Sequence, residues 1–431
     1  MRVTKVFKVD NPSEIKSKLL FWAQQFREIC LFDSNHHQTS YSSFEMMLGV
    51  DAFTSIQTDA FSAFETLNEY QQTTKDYIFG FLSYDLKNGL EKLSSKNNDE
   101  VAFPEIYFFQ PKKIIKQNQN EFIFEYLSFV DDEIDSDWNE ILETTLFTEN
   151  LPQINFEART PKNQYLQKLN QVLAHIQRGD IYEANFCMEF FANATINPVQ
   201  AFLKLNQISR PPFASFFKVN QHFALSASPE RYLKKEFESL ITQPIKGTAK
   251  RSVNAAEDEK LKFDLEQNPK ERAENIMIVD LVRNDLSKIA QKGSVVVPEL
   301  CKIYTFDQVH QMISTVTAKM HDEFSAVDAI KVTFPMGSMT GAPKISAMQI
   351  CENLEDFKRG LYSGAIGYFL PNGDFDFNVV IRTILYNSNK KYISYGVGGA
   401  ITAQSDPESE YNECLVKTKA LFSIFNSNVN P

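Results

Sequence analysis

The chain has no paired cysteines. Its five, Cys30, Cys187, Cys301, Cys351 and Cys414, are odd in number and far apart, and no CxxC spacing occurs. Neither a cysteine-based zinc site nor a disulfide framework is expected, and a reducing, cytoplasmic setting is the simplest reading. No apolar run reaches the roughly 18 residues that a membrane span requires. The N-terminal MRVTKVFKVD lacks the apolar core of a signal peptide, so neither a membrane nor export is expected. An excess of positive charge is missing as well. The 44 Lys and Arg face 55 Asp and Glu, a net charge of −11, which argues against nucleic acid or an acidic membrane as partner. An anionic substrate would then need local help from a metal ion, an Arg or Lys, or a helix N-terminus. Internal repeats and low-complexity tracts are absent.

What remains is a globular composition. Apolar residues make up 43% of the 431 and charged residues 23%, and 37 Phe suggest large aromatic cores. The length implies two domains or one composite fold. A soft boundary falls near residue 155, between a Phe-rich stretch with polar loops and a second part that mixes strands with long helices. In the first part Tyr77 to Tyr84 reads as a strand, and the acidic run 131–135 as a solvated loop. Thr160-Pro161 opens a helix with an apolar stripe at Leu166, Leu169, Val172, Leu173 and Ile176. Gly179-Asp180 ends it, and Ile181 to Phe191 follows as a strand. His222 to Ser228 and Ser363 to Leu370 read as buried strands. Phe375 to Tyr386 and Lys391 to Gly396 read as adjacent strands, the first entered through an Asn372-Gly373 turn. Clustered strands separated by helices predict an α+β fold.

Three local patterns carry chemistry. Pro244-Ile245-Lys246-Gly247-Thr248 holds one lysine in a glycine-containing turn. Glu271 and Glu274 share a helical face, as do Glu410, Glu413 and Lys417 on a helix that Ser405 or Asp406 can cap and Pro407 can start. Each face reads as a solvated, ion-paired surface or, with the two helices together, as hard oxygen ligands for Mg²⁺. The glycine-rich run 396–400 reads as a loop whose backbone N–H groups can approach an anion, or as a plain turn.

Longer motifs make the pattern specific. They are SASPERY (226–232), PIKGT (244–248), ERAENIMIVDLVRNDL (271–286), VHQMIST (309–315), TFPMGSMTGAPKISAM (333–348), GAIGYF (364–369), VVIRT (379–383), GVGGAI (396–401) and SDPESEYNECLVKTKAL (405–421). In this order they resemble the chorismate-utilising enzymes, among them the large subunits of anthranilate synthase and aminodeoxychorismate synthase. The resemblance covers roughly residues 160–425 and is much weaker over 1–155. It implies two large antiparallel β-sheets packed together with helices outside, and residues 1–155 and 156–431 interleaved into one composite fold. It also implies Mg²⁺ and chorismate in a deep cleft. Carried over by motif, Glu274 and Glu413 would be metal ligands, with Glu271 and Glu410 as their supports. Tyr368, Arg382, Lys417, Gly398, Gly399 and Ala400 would hold substrate carboxylates, and His310 and Ser338 would lie near the ring. Glu230 would be the general acid that protonates a departing hydroxyl; without the motif, an ion pair with Arg231 is its default reading.

Within the family, lysine in PIKGT is the pattern of the aminodeoxychorismate synthase branch. It implies a covalent route in which Lys246 attacks C2 and ammonia then enters at C4, on the way to 4-aminobenzoate and folate. Such a lysine must be neutral to react. Anthranilate synthesis, where Ala usually replaces the lysine, and an inactive regulatory homologue are the alternatives. One departure stands out: Glu183 follows Tyr182 where this branch usually has Gln. No glutaminase motif is visible, so a separate glutamine amidotransferase subunit is expected to supply ammonia. Ser34, with Pro212, Phe213 and Ala214, matches a segment that binds tryptophan in relatives; a hydrophobic core turn is the alternative.

Overall fold

A strand buried on both faces can serve two cores at once, because successive side chains point to opposite sides. The Glu28–Asp33 strand does this: Ile29 and Leu31 enter one apolar cluster, Cys30 and Phe32 another. The computed structural model describes residues 1–37, 41, 44–147, 149–307, 309–427 and 429–430. Its strands join in one hydrogen-bonded network that divides at the long Ile106–Asn118 strand. One branch runs antiparallel through Met46–Thr58, Glu28–Asp33, Phe213–Val219, His222–Ser228, Thr383–Asn387 and Tyr392–Thr402 to Glu183–Asn193. The other runs through Ile78–Leu82, Ala365–Phe369, Phe375–Val379, Arg231–Glu236 and Ser239–Gln243 to Val309–Lys319. The two branches are the two sheets of the expected α+β fold, continuous at one strand. A Phe-rich core lies between them, and a second core lies between the first branch and its helices.

Residue 155 does not interrupt this fabric. Glu28–Asp33 pairs with Phe213–Val219, and Ile78–Leu82 pairs with Ala365–Phe369. Two helices matter for the site. Pro269–Ser287 starts where the Asn268 side chain accepts from the Lys270 and Glu271 backbone N–H groups, and it packs on the Val309–Lys319 and Ile245–Lys250 strands. Pro407–Lys417 starts at Asp406, which accepts from the Ser409 N–H, and it packs on the Tyr392–Thr402 strand.

Three expectations change. The run 131–135 is not a loop: it forms a 3₁₀ turn that leads into the Ile134–Glu143 helix. Acidic residues suit a helix N-terminus, and buried Lys113 fixes Glu133 and Asp137. The stretch 375–386 is two strands, broken where Arg382 takes a left-handed φ of 53°. The glycine-rich run 396–400 is neither loop nor turn but the middle of a strand, paired with 185–189. Gly398 tolerates that packing because a Cβ there would lie 2.6 Å from Cys187 Sγ.

Candidate active site

Glu230 sits at the junction of two strands, after His222–Ser228 and before Arg231–Glu236. Its backbone is pinned on both sides. The Glu230 N–H donates to Ser228 Oγ (3.2 Å), and the Val379 N–H donates to the Glu230 carbonyl (3.0 Å). The carboxyl group is buried, and burial pushes its pKa up to about 7. Hydrogen bonds from the Ser338 hydroxyl and the Ile245 backbone N–H, and the charge of Lys246, pull the other way. The ion pair with Arg231 that local sequence suggests does not form. Arg231 points to the opposite side, where Nε lies 2.9 Å from Asp376 Oδ1 and Nη1 donates to Gln243 Oε1 (2.6 Å). Neighbouring side chains near a strand end face opposite ways, so Glu230 keeps no adjacent guanidinium.

Lys246 comes from the start of the Ile245–Lys250 strand and meets Glu183 from the start of the Glu183–Asn193 strand. Lys246 Nζ donates to Glu183 Oε1 at 3.2 Å, and the side chains are 11% and 1% exposed. Glu183 Oε2 is buried with no hydrogen-bond partner among the described residues. Burial favours a neutral Lys246 amine, but Glu183, Glu274 and Glu230 together outweigh it and hold the pKa above the ordinary value. Gly247, at a φ of 87°, lets the chain turn beside the carboxylate helix; a Cβ there would lie 3.1 Å from Glu271 Oε2.

The four expected metal-side carboxylates do come near one another. Burial, and then the proximity of Glu413, raise the pKa of Glu271. Burial pushes Glu274 up to about 7; Lys246 opposes the shift, and Glu271 and Glu183 add to it. Glu413 is held below the usual carboxylate range: burial works against this, but Lys417, at 2.7 Å, prevails. Glu274 Oε1 is buried and lacks a hydrogen-bond partner among the described residues. Lys270 lies 3.3 Å from Glu410 and 3.8 Å from Glu274, bridging the two helices. Among the described residues no three Asp, Glu, His or Cys groups form a ready metal site. Sequence reasoning missed Lys270, although its spacing four residues before Glu274 is an ion-pair signal.

The remaining residues divide. Gly399 abuts the second carboxylate helix: a Cβ would lie 3.3 Å from Glu410 Oε2 and 3.7 Å from Glu413 Oε1. Lys417 Nζ donates to the Gly398 carbonyl (2.7 Å), which ties the second carboxylate helix to the strand that carries Gly398, Gly399 and Ala400. The side chain of Arg382, a residue strained in φ, has no hydrogen-bond or ion-pair partner among the described residues, and its charge acts on the buried Tyr395 phenol. His310, expected near the ring, has both nitrogens engaged: Nδ1 with Thr305 Oγ1 (3.0 Å) and Nε2 with Asp258 Oδ1 (3.1 Å). Tyr368, expected at the substrate carboxylates, points elsewhere. Strand register puts it opposite Phe79 and Asp376, and its ring packs on Phe32 and Phe44. There it lines an apolar pocket with Ser34, Pro212, Phe213 and Ala214, which the fold brings together.

A buried, cation-neighboured lysine–acid set of this kind can perform nucleophilic substitution with acid-assisted departure of a hydroxyl. The sequence profile of chorismate binding enzymes matches residues 21–423. The chain is 36% identical over 349 residues to an anthranilate synthase component I-like protein of Synechocystis, covering 80% of this chain and 71% of that protein. It is also 36% identical over 349 residues to aminodeoxychorismate synthase component 1 of Escherichia coli, covering 79% and 75%. Among solved structures, anthranilate synthase component I from Streptococcus pneumoniae superposes with a TM-score of 0.76 at 24% identity, covering 90% of this chain and 94% of that one. The menaquinone-specific isochorismate synthase of Escherichia coli gives 0.75 at 15% identity, covering 99% and 95%. These two share the fold.

Proposed function

The chain belongs to the chorismate-binding enzyme family, and we propose that within it the protein aminates chorismate at C4, forming 4-amino-4-deoxychorismate for 4-aminobenzoate synthesis. The observation that carries this reading is a buried Lys246 whose charge is felt by an acid, Glu230, that burial pushes up to a pKa of about 7. Lys246 attacks C2 as the C4 hydroxyl leaves. Glu230 supplies the proton that makes the leaving group water rather than hydroxide. Ammonia then attacks C4, the bond between C2 and Lys246 breaks, and the proton shed by the new amine restores Glu230. Relatives named aminodeoxychorismate synthase component 1 support the assignment. An equally similar relative named anthranilate synthase component I-like favours a second reading, amination at C2; a lysine nucleophile has no task in that route.

The donor set suits Mg²⁺. Hard carboxylate oxygens cluster on two helices, and Glu274 Oε1 is buried without a hydrogen-bond partner among the described residues. Glu274 and Glu413 would hold the ion, with Glu271 and Glu410 behind them. When bound, Mg²⁺ would neutralise substrate carboxylate charge in an otherwise acidic site. Arg382, Lys417 and the Gly398–Ala400 backbone would fix the carboxylates, and Ser338 orients Glu230. A separate glutamine amidotransferase would deliver the ammonia. The test is product identity. Protein incubated with chorismate, Mg²⁺ and ammonium at high pH should yield 4-amino-4-deoxychorismate, and formation of fluorescent anthranilate instead would sink the reading.

A further inference from the structure

The covalent route leaves one proton unaccounted for. Lys246 is surrounded by Glu183, Glu274 and Glu230, which keep it charged. A charged ammonium has no lone pair with which to attack C2. Some group must accept a proton before the bond forms, and that group must already touch Nζ.

Only one side chain among the described residues is in hydrogen-bond contact with it. Lys246 Nζ donates to Glu183 Oε1 at 3.2 Å, and Glu183 Oε2 is buried without a partner among the described residues. Glu230 cannot serve, because it must carry a proton to expel water in the same step. Glu274 makes no ion pair with Lys246 within 4 Å and stands on the metal side, 3.8 Å from Lys270. A glutamine at position 183 could accept the hydrogen bond but could not take up the proton. Here the side chain is a carboxylate.

We propose, resting on the covalent reading above, that Glu183 is the base that takes a proton from Lys246 Nζ and so creates the nucleophile. The transfer runs along the hydrogen bond already present. It turns an ion pair into a neutral acid–amine pair, so no net charge has to enter or leave the buried site, where an unpaired charge is costly. The balance closes. Lys246 loses one proton to Glu183 and forms the C2–N bond; the C4–O bond breaks and Glu230 releases its proton to the departing water. When ammonia enters at C4 and the C2–N bond breaks, the amine leaves Lys246 free. Glu183 then returns the first proton to it. Oε1, the acceptor of the existing hydrogen bond, carries that proton in the meantime.

The test uses the full-length protein with chorismate and Mg²⁺ but no ammonia, and follows by intact mass the adduct of chorismate minus water. The wild type should form it and Lys246→Ala should not. Glu183→Gln, the same size, should form it on the order of 10²-fold more slowly at neutral pH, with chorismate affinity unchanged. Its deficit relative to the wild type at the same pH should shrink as pH rises and Lys246 loses its proton to solvent instead. Glu183→Asp keeps a carboxylate and should recover most of the rate. The base role is overturned if Glu183→Gln forms adduct at the wild-type rate. It is equally overturned if that variant is faster, since Glu183 would then only hold the lysine charged, or if Asp is as slow as Gln. Full C4 amination by Lys246→Ala would instead remove the covalent reading, and the proposal with it; adduct in the wild type with an unaffected Glu183→Gln would remove the proposal alone.

Discussion

An apolar pocket and a charged cluster share one wall, and their chemistry is opposite. On one side of residues 229–231 and 243–246 lies the charged cleft, with Glu230, Lys246 and Glu183. On the other lies the apolar pocket, lined by Pro229, Arg231, Gln243 and Ile245 together with Tyr368 and Phe213. Adjacent residues serve different sides because side chains alternate along extended backbone. Burial also acts differently on the two sides. In the pocket a charge is neutralised by a close partner, Arg231 by Asp376. In the cleft burial pushes Glu230 and Glu274 up to about 7, with Glu271 and Glu183 adding to the shift of Glu274 while Lys246 opposes both. A site that neutralises its charges is stable; a site that leaves them in competition can move protons.

That contrast can be broken by substitution. The largest effect should come from Lys246→Ala, which removes the nucleophile: amination at C4 should be abolished, as read by product formation with ammonium. Glu230→Gln keeps shape but cannot donate an acidic proton, and should lower the rate by about 10²–10⁴-fold. The wild-type adduct-forming step should also fall as pH rises through about 7, because a carboxyl whose pKa is raised by burial is active in its protonated form, below that value. If this step instead accelerates above pH 7, Glu230 is not the acid. Arg231→Met, one residue away, should act on stability rather than chemistry. It leaves Asp376 buried without its guanidinium, a loss of about 3–5 kcal/mol for a broken buried pair. Thermal unfolding should reveal it, while the pH profile of the folded fraction stays that of the wild type. Gly399→Ala sets a methyl group against Glu410 and Glu413 and should raise the KM for chorismate several-fold. The smallest effect is expected from Tyr368→Phe. Its ring belongs to the apolar pocket, so KM should change by less than about twofold if the wall separates the two sides; a tenfold rise would return Tyr368 to the substrate.

Much of the site was legible because its motifs are contiguous. Glu271 with Glu274, and Glu410 with Glu413, could be put on helix faces from spacing alone, and the second helix forms with the Asp406 cap the sequence suggested, whereas the Asn268 cap of the first was not foreseen. Strands with strong alternation were also readable. The run 396–400 misled because glycines signal loops, whereas here they thin a strand so that Cys187 can pack on one face and Glu410 on the other. The break at 380–382 was illegible because apolar residues continue through it, and only the tertiary bonds of Val380 with Ser363 and Gly364 end the strand. His310 and Tyr368 were assigned by motif, which carries no direction; their orientation depends on Asp258 and on the Phe79 register, both distant in sequence.

The sequence by itself determined the inventory: a family, an α+β fold, a lysine, an acid and four carboxylates on two helices. These follow from residue type and local period, which the chain carries without any long-range contact. Tertiary structure alone decided which groups meet. It turned Arg231 away from Glu230, set Lys270 between the two carboxylate helices, and brought Glu183 to Lys246 across 63 residues of sequence. Proton affinity depends on burial and on charges within a few ångströms, and those distances exist only after the sheets have closed.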